Sequence, residues 1–468
     1  MYRNNILYIL LIFTYVFILL ILSSCAQLMR ADQGINTLLN EHDSLSVSSN
    51  ISDNSQVQDQ DFDYFKKDYT RTYNHIYNPN IQSIQLYRKG WEMTQPYIQL
   101  KTDERLMLSF DDLDPEVKDY KFTLVHCDAN WQQSDLLQNE YLLGFTEDFI
   151  RNYKFSINTM QQFVHYDLVF PTEDMQIMKS GNYLLKVYDD VQENIVFVFR
   201  FMVFEPLVTI NANVVAPSTV ADRKYKQEVD FILNAGAYKI LNPYRDLKII
   251  ITQNGRWDNA LVDFKPRMVK NSKLYYDLVD ENVFNGGNEF RLFNIKSLKY
   301  ALENVYSIEV DNKGNQVYLM HDEPRTFKLY TYVEDINGMR IIQTEDYEND
   351  DLESDYVNVH FSLPYNAPFV DGNLYIMGEL TYWQFSDEGL MNYNYERKAY
   401  EATMFLKQGY YNYQYVFLED GKTAGDVTLI EGNHFDTENE YKIFVYHREI
   451  GTIYDKLIAI HTVYSHTK

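Results

Sequence analysis

The sequence predicts an all-β protein built of tandem Ig-like β-sandwiches, set behind an N-terminal export signal and a flexible tether. Three observations carry that expectation. Runs of four to eight residues with strand alternation recur between residues 81 and 461, separated by short clusters of turn formers. Aromatic residues make up 16% of the chain, with 41 Tyr, while 18 Gly and 11 Pro in 468 residues are ordinary, so the composition suits packed sheet faces and not disorder. Only two cysteines occur, and one of them, Cys25, closes the longest apolar run.

That run, Ile6 to Leu22, holds no charge, follows Arg3 and ends in Leu22-Ser23-Ser24-Cys25. Small residues before a thiol resemble the lipobox of bacterial lipoproteins, which implies cleavage before Cys25 and lipid attachment to it. An uncleaved transmembrane anchor stays open, since a signal core usually has about 7–15 apolar residues and a span needs about 17. With Cys25 acylated, Cys127 has no disulfide partner, and a chain this long buries enough apolar surface without one. Cys127, at the end of the alternating "YKFTLVHC", is expected as a buried thiol.

Residues 25–75, typified by "SLSVSSNISDNSQVQDQD", lack period and read as a tether. A first sandwich is expected over 76–206, from "IQSIQLY", "RLMLSF", "YKFTLVH", "HYDLVF", "NYLLKVY" and "VFVFRFMVF", with an excursion between Asp128 and Met160. A second is expected over 207–343, from "VTINANVV", "QEVDFIL", "LKIIIT", "LYYDLV", "NEFRLFNI", "VYSIEV", "QVYLM" and "TFKLYTYV". Within it, "VDNKGNQV" reads as a hairpin turn, because Asn and Gly tolerate positive φ and the carboxylates of a calcium loop are missing. Residues 344–355, "TEDYENDDLESD", pack seven carboxylates into twelve positions and read as a linker or solvated loop. The last sandwich is expected over 356–468, from "YVNVHFSL", "NLYIMG", "AYEATMFL", "YYNYQYVF", "YKIFVY" and "KLIAIH".

The charge balance excludes nucleic acid: 67 Asp and Glu against 42 Lys and Arg give a net charge of -25, which repels polyanions. No nucleophile elbow, phosphate loop, zinc helix, paired-cysteine or dinucleotide signature occurs, so no catalytic residue, metal or cofactor is assigned and the chain is read as non-enzymatic. A glycosidase carboxylate pair drawn from distant loops leaves no such signature. His126 and Cys127 are adjacent on a strand, so their side chains face opposite ways and make no dyad. The four tryptophans, Trp91, Trp131, Trp257 and Trp383, either stack on a sugar or partner or pack in sandwich cores.

The order Gly378, Trp383, Met391, Tyr400, Leu406, Gly409, Tyr413, Asp420, Gly421 resembles the early-set glycogen-binding modules of AMP-activated kinase β-subunits and starch-branching enzymes. The resemblance implies an early-set sandwich. Those modules place a lysine and a second tryptophan where Gln414 and Thr423 stand, so Trp383 alone is left as a possible glycan or partner contact.

A wider resemblance runs from about residue 81 to 457. The segments "IQSIQLY", "LSFDDL", "HCDANW", "SGNYLLKVY", "GGNEFR", "LKQGYYNY" and "EGNHFDTENEY", in this order, resemble the plug proteins of the Bacteroidetes type IX secretion system. What this implies is a body that closes the periplasmic opening of a giant outer-membrane β-barrel translocon, with no catalytic residues and no small-molecule substrate. His126, Asp128 and Trp131 are then expected to organise the start of the excursion, and Asn288, Glu289 and Arg291 to satisfy one another or nearby backbone beside a Gly-Gly turn. "AQLMR" after Cys25 lacks the acidic cluster of surface lipoproteins, so the acyl chain is expected in the periplasmic leaflet of the outer membrane. A barrel of about 36 strands leaves a lumen of about 50 Å. One sandwich spans roughly 34 Å and about 390 residues roughly 55 Å, so only the whole set fills it. The alternative is a glycan-binding lipoprotein of a saccharide uptake system.

Overall fold

Strand Tyr120–Cys127 shows how alternation builds the first sandwich: Tyr120, Phe122 and Leu124 are buried on one side while Lys121, Thr123 and Val125 are only half-buried. The structure, a computed structural model, describes residues 70–189, 194–278 and 280–466. Cys25, the export signal and most of the tether lie outside the described residues. Among the described residues no helix is long and apolar enough to cross a membrane.

One sheet of the first sandwich runs in the order His75–Ile76, Ile195–Phe204, Gly181–Asp189, Tyr120–Cys127, Glu147–Ile150, with Tyr97–Gln99 added parallel to Ile195–Phe204. The facing sheet runs Ile81–Arg88, Leu106–Asp112, Val164–Phe170, Asn152–Phe155. Between them Phe110 stacks on Tyr166 at 5.1 Å and meets Phe197 edge-on. The excursion carries the short helix Gln138–Tyr141 and the strand Leu142–Gly144, which pairs with Met175–Ile177.

Chain order does not decide the other two sandwiches, and this corrects the expected boundaries at 343 and 356. "YKIFVY" and "KLIAIH", expected in the last sandwich, belong to the second: its sheet runs Arg256–Val262, Leu247–Gln253, Glu440–His447, Lys456–Tyr464. Leu247–Gln253 has Ile249 and Ile251 in one core and Ile250 in another, so both its faces are buried and its backbone groups, cut off from water, need partners on both edges. The local hairpin fills one edge, and the distant Glu440–His447 fills the other from Leu247↔His447 to Gln253↔Tyr441. The facing sheet is Thr209–Val215, Lys226–Asn234, Lys273–Tyr276, Met268–Lys270.

Conversely, "NEFRLFNI", "VYSIEV" and "QVYLM" join the third sandwich. Arg291–Asn294 and Arg340–Ile342 flank Gly409–Glu419, while Val305–Asp311 and Gly314–Leu319 form the expected hairpin and extend the sheet of Tyr356–Pro364, Ala399–Lys407 and Asn392–Asn394. The third sandwich is thus inserted into the second. "TFKLYTYV" forms no strand; Thr326 donates instead to the Leu429 carbonyl and Tyr330 to the Glu289 carboxylate. Phe327 and Leu329 are left exposed. The acidic stretch is bound more than solvated: Asp355 accepts the backbone N–H of Met160 and Gln161, and Asp350 that of Thr344.

Candidate functional site

Three sandwiches connected by single linkers would move against one another, so the residues that bind them together decide what the molecule can do mechanically. The first and third meet at a β-bulge. Ser83 has φ 52, and the register of Ile81–Arg88 against Leu106–Asp112 skips Ser83 and Ile84. A bulge releases backbone groups from the ladder, and the third sandwich takes them. Arg340 donates to the Ile84 carbonyl at 2.6 Å, and the Tyr382 hydroxyl accepts the Ile84 N–H at 3.1 Å.

Beside the bulge Asp111 accepts three hydrogen bonds, from His165 Nδ1, Lys407 Nζ and the Tyr356 hydroxyl, each at 2.6 Å. Burial works to raise its pKa, but the Lys407 ammonium and His165 more than offset this and hold the carboxyl below its ordinary value. Asp111 and Asp112 end the strand in "LSFDDL"; two acids closing an apolar strand were the signal that could have marked this junction in sequence.

The first and second sandwiches meet over an apolar seam of Cys127, Trp131, Leu184, Ile250, Phe444 and Leu457. Here lie four residues singled out in the sequence. His126 and Cys127 face opposite ways: His126 binds Ser134 and the Ser180 carbonyl and lies edge-on to Tyr183, whereas Cys127 enters the seam. Burial pulls His126 down to about 4 and pushes the Cys127 thiol up to about 12, so neither is a base or nucleophile near neutral pH. Asp128 caps the turn through the N–H groups of Asn130 and Gln132, and Trp131, at φ 66, meets Trp257 edge-on at 5.3 Å.

The second and third are joined twice, because the chain leaves the second at "GGNEFR" and returns at "EGNHFDTENEY". The two crossings bind each other. Gly287 N–H donates to Asn433 Oδ1, Asn288 Nδ2 to the Glu431 carbonyl, Glu438 N–H to Glu289 Oε1 and Thr437 Oγ1 to the Gly287 carbonyl. A side chain at Gly286 would sit 2.0 Å from the His434 carbonyl oxygen, which explains the close backbone approach. Arg291 pairs with Glu431 and Asp322, and Arg325 also reaches Glu431. Burial raises Glu289 to about 7, against the donation it receives from Tyr330.

Trp383 lies beside the first of these crossings. It is half-buried, follows a left-handed Tyr382 at φ 53, and lies edge-on to Phe290 at 6.0 Å. Among the described residues no group of three His, Cys, Asp or Glu is placed to hold a metal.

Fold and junctions therefore define a multi-sandwich β-protein whose buried polar groups bind its parts to one another. Residues 81–205 match the family model described as type 9 secretion system plug protein 1st domain. A crystal structure of a hypothetical protein from Parabacteroides merdae is 36% identical, with a TM-score of 0.82 over 84% of this chain and 100% of that one. The chain belongs to the type 9 secretion system plug protein family, which associates it with that secretion system and its envelope setting. Two streptococcal antigen I/II C-terminal domains are 8% identical: one from Streptococcus agalactiae (TM-score 0.14, 82% of this chain and 99% of that one) and one from Streptococcus pyogenes (TM-score 0.13, 82% and 100%). Neither bears on the fold. Among curated proteins none matches the chain.

Proposed function

We propose that this protein is a removable plug that closes the periplasmic mouth of the type 9 secretion translocon, held at the outer membrane by a lipid on Cys25. The observation that carries the reading is the double crossing between the second and third sandwiches, together with the Asp111 junction to the first. A body so interlocked resists being threaded or pulled apart by a passing chain. Its size fits as well, since about 390 residues at globular density span roughly 55 Å, enough to occlude a lumen of about 50 Å. The acidic, Tyr-rich composition suits a separable polar contact over an obligate apolar one. The role is one of occlusion, with no catalytic step.

The test is electrical. Single-channel recordings of the translocon purified with and without this chain are expected to show closed and open pores respectively, and equal conductance in both would overturn the proposal. Deletion is expected to admit large antibiotics across the outer membrane. Cys25→Ser is expected to release the protein from the membrane fraction.

A further inference from the structure

Residues of all three sandwiches line a cavity of about 390 Å³, and three of the four tryptophans, Trp131, Trp257 and Trp383, are among them. The cavity also contains Arg200. Its guanidinium lies 4.3 Å from the Trp131 ring centre and 5.5 Å from that of Trp257, and its Nε donates to the Thr72 carbonyl at 2.6 Å. Four other shielded cations touch a carboxylate, Arg256 on Asp258, Arg291 on Glu431, Lys407 on Asp111 and Lys442 on Glu440, while Arg340 donates instead to the Ile84 carbonyl. Among the described residues Arg200 pairs with none, and burial pulls it down to about 9. In a chain with a net charge of -25, a partly buried guanidinium that meets no carboxylate is a place where an anion can be received.

Two further polar atoms are unsatisfied at this place. Trp131 is 3% exposed, and its indole N–H has no acceptor; Asn337, on the opposite sandwich, has a buried Oδ1 with no donor. Such groups cost free energy unless a partner arrives. Leu86, Phe199 and Tyr382 supply apolar wall between them. The volume falls in the range of small-molecule sites.

We propose that this cavity binds a small organic acid: the carboxylate meets the Arg200 guanidinium and the Trp131 N–H, a donor on the ligand meets Asn337, and its apolar body lies against the aromatic wall. A neutral sugar would use the rings but leave the guanidinium uncompensated, so the observations favour the acid. The inference does not depend on plugging.

The experiment titrates the full chain with N-acetyl-L-phenylalanine and N-acetyl-L-leucine, with their carboxamides, and with maltotriose, read by tryptophan fluorescence and calorimetry. The acids are expected to bind saturably and the carboxamides about tenfold more weakly or worse, as loss of a charged hydrogen bond requires. Arg200→Gln is expected to abolish the difference between acid and amide. Trp131→Phe, which keeps a ring and removes the N–H, is expected to weaken the acid by a smaller factor. Equal binding of acid and amide, no binding of either at millimolar concentration, or maltotriose binding that survives Arg200→Gln would each overturn the proposal. Should Arg200→Gln fail to fold, the acid and amide comparison on the unaltered chain still decides.

Discussion

Asp111 and Lys407 are 296 residues apart in the chain, yet their carboxylate and ammonium meet at 2.6 Å with side chains 1% and 2% exposed. The pair joins the first sandwich to the third. Removing one partner of such a pair strands a buried charge, whereas removing both need not. Lys407→Met is therefore expected to cost about 3–5 kcal/mol in urea unfolding, and the double variant Asp111→Asn, Lys407→Met to recover more than half of that loss. Equal losses in single and double variants would contradict the pairing.

Glu289, 1% exposed, has its pKa raised by burial from 4.5 to about 7. A raised carboxyl contributes its stability fully below pH 4.5 and loses it as pH climbs through 7, a change on the order of 3 kcal/mol. Its acceptor oxygen serves Tyr330 and Glu438, which a glutamine carbonyl also satisfies. Glu289→Gln is thus expected to be more stable than the parent at about pH 8 and equal to it at about pH 4, by thermal unfolding across that window.

Gly338 has φ +78, and a Cβ there would lie 2.3 Å from the Trp383 ring and 2.6 Å from Phe290. Left-handed backbone and overpacking act together. Gly338→Ala is expected to lower stability by about 2–4 kcal/mol and to shift Trp383 fluorescence.

Cys127 is fully buried, and its thiol is pushed up to about 12. In a Cys25→Ser chain, Ellman's reagent at about pH 8 is expected to find no thiol in the native state and one in denaturant, because the attacking species is an exposed thiolate. Stoichiometric reaction of the native chain would show that the seam opens.

The alternation of "YKFTLVHC", "LSFDDL" and "LKIIIT" made the β class and most strands legible, since period and turn chemistry are local properties. The opposed faces of His126 and Cys127 followed from the same period. Partnership was not legible. Nothing in "YKIFVY" says that it pairs with Leu247–Gln253 across an inserted sandwich, because every β-strand offers the same donors and acceptors to any edge. "TFKLYTYV" alternates as well as its neighbours and still joins no sheet.

The junctions divide in the same way. "GGNEFR" and "EGNHFDTENEY" stood out as unusual strings, but only the folded chain brings Asn288 to Glu431 and Glu438 to Glu289. Composition and periodicity determined that this is an acidic all-β protein. Tertiary structure alone decided which sandwich owns each strand, where Asp111 finds Lys407, and that Arg200 finds no carboxylate among the described residues, because burial and charge pairing depend on which distant segments share a desolvated space.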